Sequence, residues 1–322
     1  MLTNSRLAAV AACAAALAAL AGCSSSGSGT NPNTTSVGGA TQSDAPAAFP
    51  VTIDAANGSV TIDEQPTSIV SLSPTATEML FAIGAGDQVK AVDKNSDYPA
   101  SAPHTDLDPY QLNVEAVAGY RPDLIISSGL TPAQMKQLTV LHIPVLDEPA
   151  AQNLDGTYEQ LAQLGEATGH QSDAAAEVTK VRRQVSQVTK TVAESGTHSY
   201  YYELDQTYYS VTSATFVGSV LETLGLHSIA DAAKGAAASG GYPQLSQEYI
   251  VKSDPDYVFL ADTKCCHQTA QTVANRPGWS TMSAVQDDRI VPLDDDIASR
   301  WGPRIIELMK TVANAIKEHP TA

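Results

Sequence analysis

The sequence predicts an α/β fold of two similar lobes with mainly parallel sheets, joined by one long α-helix. Three observations predict it: a stripe of valines in mid-chain, a repeated alternation of strand and helix patterns, and an internal duplication. The stripe advances by steps of 3, 4, 3 and 4 residues, which is typical of a helix with one buried face. Its members are Val178, Val181, Val185, Val188 and Val192.

The central helix is predicted over residues 172–195. Ser172 is a candidate N-cap, and Gly196 stands where a C-terminal cap is expected. At ~1.5 Å per residue such a helix is roughly 35 Å long, enough to cross a domain. We therefore interpret it as a rod joining two lobes; a helix packed on one domain and backed by solvent is the alternative.

Composition limits the size of the protein and its partners. The 322 residues are 43% hydrophobic, which suffices for two domains with cores of their own. The formal charge of −17 argues against a nucleic-acid partner, because phosphate binding needs clustered Lys and Arg.

Residues 1–23 have the pattern of a targeting segment. Arg6 is their only charge, and residues 7–22 are apolar and rich in alanine. Leu20-Ala-Gly-Cys23 resembles the lipobox of bacterial lipoproteins, which implies a cleaved signal peptide and a lipidated Cys23; an ordinary secretory signal is the alternative. Residues 24–48, rich in Ser, Gly, Thr and Asn, are predicted to be a flexible linker. The folded part is expected to be extracytoplasmic and anchored to the cell membrane.

Strand and helix patterns alternate from residue 49 onward. A hairpin pattern surrounds Asn57-Gly58, and Ser73-Pro74 is a typical helix start. The predicted strands cover residues 68–72, 89–93, 124–127 and 143–146. The predicted helices begin at Ser73, Leu112 and Ala133. This order favours a mostly parallel sheet covered by helices.

The pattern recurs after the central helix. Residues 112–126 match 245–259 at an offset of 133, and residues 80–84 match 221–225 at an offset of 141. Such repeats indicate two copies of one unit, whose interface is a usual place for a ligand cleft. The predicted domains are an N-terminal lobe over 49–155, a connecting helical segment over 156–196 and a C-terminal lobe over 197–322.

Four segments carry a specific resemblance. They are Ile69-Val-Ser-Leu-Ser-Pro-Thr-Ala-Thr-Glu78, Asp97-Tyr-Pro99, Asn113-Val-Glu-Ala-Val117 and Arg300-Trp-Gly-Pro-Arg304. Together they resemble the periplasmic-binding domain of iron-siderophore and cobalamin ABC importers. The resemblance implies a class III substrate-binding protein, which captures a metal chelate (a corrinoid, haem or ferric siderophore) between two lobes and delivers it to the permease. We expect a monomer.

Glu115 and Glu248 occupy equivalent positions in the two predicted lobes, each in the first turn of a helix. An acid there complements the helix dipole, which is worth ~0.3–1 kcal/mol. The resemblance implies a further role, in which these glutamates pair with arginines of the two permease subunits.

Loops at the carboxyl ends of the strands are expected to bind the ligand, as in other open α/β sheets. Twelve tyrosines against four phenylalanines suggest a flat, amphipathic surface for a ring-shaped ligand. The predicted ligand-binding residues are Asn95, Tyr98, Tyr110, Ser128, Tyr209, Tyr242, Asp296, Arg300 and Trp301. Further candidates in the second-lobe loops are Tyr208, Phe216, Asp262 and Thr263.

The resemblance leaves the ligand open among these chelates. Asp296 and Arg300 match residues that touch the corrin side chains in cobalamin-binding members, and Tyr242 matches an aromatic residue that packs on the ring. Asn95 and Pro109, however, stand where those members carry aromatic residues.

Charge bears on the ligand class as well. A triscatecholate-iron anion would need several arginines, and only Arg300, Arg304 and Arg276 are candidates. For Arg300 and Asp296, an internal ion pair is the alternative to direct ligand contact.

Cys265-Cys266-His267 follows a predicted strand, near the expected cleft. Once the signal peptide is removed and Cys23 is lipidated, Cys265 and Cys266 are the only thiols left. A vicinal disulfide is expected, although Cα atoms ~3.8 Å apart lie below the usual range for disulfides. Free thiols are the alternative, and a Cys-Cys-His zinc site lacks a fourth ligand nearby.

Enzymatic motifs are missing from the sequence: it contains no His-Glu-x-x-His, Gly-x-Ser-x-Gly or phosphate loop. We therefore predict no enzyme, no catalytic residue, no metal site and no cofactor, the ligand itself being a metal chelate. A metal-dependent hydrolase built on Asp294-Asp-Asp296 and an envelope protein that reuses the fold for signalling or scaffolding are the alternatives.

Overall fold

The computed structural model describes residues 48–319, so Cys23 and the predicted signal peptide lie outside the described residues. The strands are β1 Val51–Ala55, β2 Gly58–Ile62, β3 Ile69–Leu72, β4 Val89–Val92, β5 Leu124–Ser127, β6 Val145–Asp147, β7 His198–Glu203, β8 Leu226–Ser228, β9 Tyr257–Leu260 and β10 Ile290–Pro292. The helices are α1 Pro74–Ala82, α2 Val114–Gly119, α3 Pro132–Thr139, α4 Leu154–Thr168, α5 Gln171–Val192, α6 Phe216–Glu222, α7 Gln247–Ser253, α8 Ala270–Ala274, α9 Ser283–Gln286, α10 Asp295–Ala298 and α11 Ile305–Glu318. Among residues 48–319, no helix combines the length and apolarity needed to cross a bilayer.

Two four-stranded sheets form the centres of two lobes, preceded by the predicted hairpin of β1 and β2. The first sheet has the order β4-β3-β5-β6 and the second the order β8-β7-β9-β10, with all neighbours parallel. In each sheet the order along the chain is second, first, third, fourth. The predicted fold class and its duplication are therefore confirmed.

The same type of hydrogen bond, from a backbone amide to an aspartate, anchors the start of the first strand in each sheet. The carboxylate of Asp123 accepts the amide of Ser68 at 3.0 Å, and that of Asp256 accepts the amide of Ser199 at 2.7 Å. Both acids follow a proline and precede the third strand of their lobe. Equivalent residues therefore make equivalent hydrogen bonds in the two lobes.

The valine stripe is the buried face of α5, but the ends of this helix differ from those predicted. Gly169 ends α4 in the left-handed conformation, and the carbonyl of His170 accepts the Ala174 amide at 2.9 Å. The helix therefore begins at Gln171, and the N-cap predicted at Ser172 is wrong. It ends at Val192, so Gly196, at φ 83°, belongs to the following turn.

Helix α5 joins the two hydrophobic cores. Ala174 packs into the core of the first lobe, whereas Val181, Val188 and Val192 pack into that of the second. Helix α4 lies beside it, and a Cβ at Gly165 would collide with the Ala174 side chain. Glycine at this position thus allows the close approach of the two helices.

Two other boundaries shifted for local reasons. Strand β6 begins after Pro144, because proline has no N–H to give to the ladder. Helix α2 begins at Val114 because the side chain of Asn113 caps it by accepting the Ala116 amide at 3.0 Å.

Candidate ligand-binding cleft

A cavity of about 690 Å³ lies between the two lobes, at the carboxyl ends of the first-lobe strands. The loops after β3, β4 and β5 form one side, and α10 with the segment before α11 forms the other. Its lining residues are Leu72, Ser73, Pro74, Thr75, Asn95, Pro109, Tyr110, Ser128, Gly129, Leu130, Thr131, Gln134, Asp296, Ser299, Arg300 and Trp301.

Hydrogen bonds hold the first-lobe loops in place around this cavity. Asp147, at the end of β6, accepts the Ser127 hydroxyl at 2.7 Å and the Leu130 amide at 3.3 Å. The Gln134 side chain donates to the Pro109 carbonyl at 2.8 Å. Because these bonds do not need a ligand, this side of the cavity is largely preformed.

Arg300 is the buried centre of an ionic network across the cleft. Its Nη1 donates to Glu78 at 2.7 Å. Its Nη2 reaches the Asn95 carbonyl at 3.0 Å, Asp97 at 2.9 Å and Asp296 at 3.1 Å. The internal Asp296–Arg300 pair is therefore present, and three carboxylates neutralise this guanidinium.

Six of the nine predicted ligand-binding residues line the cavity: Asn95, Tyr110, Ser128, Asp296, Arg300 and Trp301. Tyr98 does not. Its ring lies 3.9 Å from the Arg304 guanidinium and lines a separate groove of about 380 Å³. Cation–π contact with Arg304 holds it there.

Tyr209 and Tyr242 lie outside the cavity as well, 41% and 43% exposed on the second lobe. The loops that carry them are bonded to each other, through the Ser210 amide to the Pro243 carbonyl at 3.0 Å and through a bridge between Tyr209 and Gln244. These bonds keep both rings on the surface of their own lobe.

The other second-lobe candidates have structural roles. Phe216 belongs to the core, and Tyr208 packs on Trp279 with ring centroids 6.1 Å apart. Thr263 donates its hydroxyl to Asp295 at 2.8 Å. None of these residues contributes to the lining of the 690 Å³ cavity.

Asp262 lies buried beside Glu203 in the second lobe. Glu203 is itself paired with Arg276 through contacts of 2.5 and 2.6 Å. Burial, and then the charge of Glu203, raise the pKa of Asp262 to about 7. Arg276 is thus engaged inside the lobe and supplies no charge to the cavity.

The three carboxylates of residues 294–296 are engaged in local hydrogen bonds and ion pairs. Asp294 caps α10, and Asp295 accepts the Cys265 amide at 2.9 Å. Asp296 pairs with Lys264 at 2.6 Å in addition to Arg300. Within residues 48–319 no group of His, Cys, Asp or Glu side chains is arranged to hold a metal ion.

Cys265 and Cys266 lie in the loop after β9, outside the cavity lining. Their sulfur atoms are paired across Cα atoms 3.8 Å apart. His267, at φ 56°, continues the tight turn.

Glu115 and Glu248 are each the second residue of a short helix, α2 and α7, and these helices are equivalent in the two lobes. Both side chains are exposed, and neither forms an ion pair within residues 48–319. Their charges are therefore available to a partner.

One important residue, Glu78, has no role assigned from the sequence. Burial raises the pKa of Glu78, against the lowering effect of Arg300 and Arg304. One sequence feature could have identified Glu78: it is an acid directly followed by Met79 and Leu80 in an apolar helix. A buried acid in such a helix needs a cation as partner.

Comparisons with known proteins identify relatives over nearly the whole folded part. The family profile described as periplasmic binding protein matches residues 69–297. The chain is 33% identical to the uncharacterized ABC transporter substrate-binding lipoprotein YvrC of Bacillus subtilis, covering 83% of this chain and 86% of that protein. It is 32% identical to the cobalamin-binding protein of Halobacterium salinarum, covering 83% and 74%.

A solved structure agrees with these matches. A possible iron-binding (periplasmic solute-binding) protein from Staphylococcus epidermidis superposes with a TM-score of 0.67 at 26% identity, covering 79% of this chain and 99% of that one. Family profile, relatives and fold agree, and the chain belongs to the periplasmic binding proteins, a family of binding proteins rather than enzymes.

Proposed function

We propose that the protein is the lipid-anchored, extracytoplasmic substrate-binding protein of an ABC importer and that it captures a corrinoid between its lobes. The lining of the interlobe cavity, which mixes apolar and polar side chains and carries no unpaired charge, carries this proposal. Its volume of about 690 Å³ falls within the ~300–1,000 Å³ typical of small-molecule and cofactor sites.

The lining suits a ligand with a neutral polar periphery. Hydroxyl and amide side chains surround the cavity, namely those of Ser73, Thr75, Asn95, Ser128, Thr131 and Gln134. A corrinoid carries carboxamides around its ring, and these both donate and accept hydrogen bonds. The relative from Halobacterium salinarum, named a cobalamin-binding protein, supports the same ligand class.

Anionic chelates fit the lining less well. Haem propionates and catecholate oxygens call for unpaired cations, and the Arg300 charge in the lining is already neutralised by carboxylates. Haem is the second candidate because Tyr110, 82% exposed and part of the lining, is a residue type that can ligate haem iron.

The proposal includes delivery to a permease. Glu115 and Glu248 supply one exposed charge on each lobe, so that each lobe can contact one subunit of a two-subunit permease. Lipidation at Cys23 would keep the complex at the membrane.

The experiment is calorimetric titration of the purified protein with cyanocobalamin, dicyanocobinamide, haemin and a ferric triscatecholate. We expect one corrinoid per protein, bound at least about tenfold more tightly than haemin or the catecholate. Binding weaker than ~1 mM, about 4 kcal/mol, for every compound would refute the transport proposal. Tighter binding of haemin than of the corrinoids would show that the ligand is haem and not a corrinoid.

A further inference from the structure

Two sequence segments far apart in the chain meet inside the protein. Glu78 of α1, in the first lobe, contacts Arg300 across a sequence separation of 222 residues. It also accepts from Arg304 Nη1 at 3.2 Å. Glu78 is only 3% exposed, so this contact is a buried one between the lobes.

The two terminal nitrogens of the Arg300 guanidinium have different partners. Nη1 is held by Glu78, and Nη2 faces the Asn95 carbonyl, Asp97 and Asp296. Because a guanidinium is rigid and planar, fixing Nη1 also fixes the direction of Nη2. Asn95 and Asp296 line the cavity on opposite lobes, whereas Glu78 does not line it.

We propose that Glu78 is a positioning residue for ligand binding, which orients Arg300 so that its Nη2 holds Asn95 and Asp97 against Asp296 and thereby sets the width of the cleft. This inference rests on the proposed function for its ligand. Glu78 does not line the cavity itself, and of the two arginines that it holds only Arg300 does, so its effect on the ligand is expected to pass through Arg300.

The test is a double-mutant cycle on the affinity for cyanocobalamin. Glu78→Gln keeps the shape of the side chain and removes its charge, and Arg300→Gln removes the group that it positions. We expect each to weaken binding about tenfold or more, and the double variant to bind within about threefold of Arg300→Gln alone, because the two residues act as one unit. Effects that multiply fully would show that Glu78 does not act through Arg300.

Glu307→Gln is the matched control. It removes the exposed carboxylate that contacts Arg304 at 3.4 Å and leaves Arg300 untouched. Its affinity should stay within about twofold of the wild type, as for other surface changes. Wild-type affinity in Glu78→Gln would overturn the proposal.

A second measurement needs no ligand and separates this inference from the proposed function. Hydrogen exchange of residues 94–97 should speed up equally in Glu78→Gln and Arg300→Gln and stay unchanged in Glu307→Gln, because Arg300 holds this loop. Unchanged exchange in Glu78→Gln would reject the positioning role. Failure of the wild type to bind cyanocobalamin would reject the corrinoid as the ligand, while the exchange measurement would still decide the positioning role of Glu78.

Should Glu78→Gln not fold, Asp97→Asn tests the other end of the same guanidinium, where Nη2 holds the first-lobe loop. The Asp97 side chain is 57% exposed, and its loss removes one of the bonds that Arg300 Nη2 makes to the first lobe. We expect faster exchange at residues 94–97 and weaker binding of cyanocobalamin. Wild-type behaviour in both measurements would contradict the role assigned to Arg300.

Discussion

Single residues of the second lobe decide how its stability responds to pH. Asp262 is buried beside Glu203, and Arg276 compensates only one of the two charges. A proton on Asp262 removes the excess charge. The folded state therefore binds this proton more tightly than the unfolded chain does.

The pH dependence follows from the direction of that shift. The pKa of Asp262 is raised from 3.8 to about 7, so its stabilising contribution is complete below the unfolded pKa and is lost as pH rises through 7. We expect the melting temperature of the wild type to fall more between pH 6 and pH 8 than that of Asp262→Asn. Thermal scans at both pH values measure the difference, with the exposed-acid variant Asp87→Asn as control. Equal falls in wild type and Asp262→Asn would contradict this account.

Cys265 and Cys266 give the second prediction at this scale. In the oxidising space outside the membrane we expect them to be joined to each other. Alkylation without reductant, followed by mass spectrometry, should find neither thiol labelled. Two labelled thiols on the purified protein would show that this prediction is wrong.

The sequence predicted those cleft residues whose position follows from local chain order, and not the positions set by long-range contacts. Asn95, Tyr110 and Ser128 follow strands, and the carboxyl ends of parallel strands meet at one sheet edge, so their loops could be predicted. Glu78 could not be placed because its partner lies 222 residues away. Tyr98 sits in the right loop, but contact with Arg304 turns its ring out of the cavity.

At the scale of elements, α5 connects the lobes, because its buried face enters both cores. The valine periodicity predicted this face, since buried positions must recur on one side of a helix. The ends were not predictable to the residue. The start of α5 depends on Gly169, which ends α4, and on His170, whose carbonyl accepts the Ala174 amide.

Truncating the stripe should destabilise the whole protein. Val181 is fully buried, so Val181→Ala leaves a cavity and should cost about 1–3 kcal/mol of unfolding free energy. Ser186→Ala, on the exposed face of the same helix, should stay within about 0.5 kcal/mol. Urea unfolding of both variants is the measurement. A cost for Val181→Ala no larger than that of Ser186→Ala would contradict the role of the stripe.

For the whole molecule, duplication explains the placement of equivalent charges. The two sheets share one strand order, so α2 and α7 occupy equivalent places and each carries a glutamate at its second residue. The offset of 133 residues predicted this equivalence from sequence alone. The width of the cleft was not predictable, because the Arg300 contacts that span it join residues distant in the chain.

The docking role of these glutamates is tested by Glu115→Ala and Glu248→Ala, singly and together. Both are exposed, so each change should cost at most ~0.3–1 kcal/mol of folding free energy and leave ligand affinity unchanged. Uptake in vesicles reconstituted with the permease should fall in each single variant and further in the double variant. The difference from the wild type should be larger at low salt, because salt also screens the ion pairs that the wild type makes.

The matched control removes one exposed acid from each lobe elsewhere, as Asp87→Ala with Glu222→Ala. This pair removes the same amount of negative charge as the double docking variant and should leave uptake at the wild-type level. Wild-type uptake by the folded Glu115→Ala/Glu248→Ala protein would reject the docking role and leave these residues as acids that complement a helix dipole.

The central claim is that a corrinoid binds in the cavity between the lobes. Hydrogen exchange of the full-length protein with and without cyanocobalamin tests it most directly, because protection reports where the ligand contacts the backbone. We predict slower exchange in the loops that line the cavity, at residues 73–75, 95–97, 109–110, 128–131 and 296–301, and unchanged exchange in α2 and α7. Protection confined to other surfaces, or no protection at saturating cyanocobalamin, would contradict the claim.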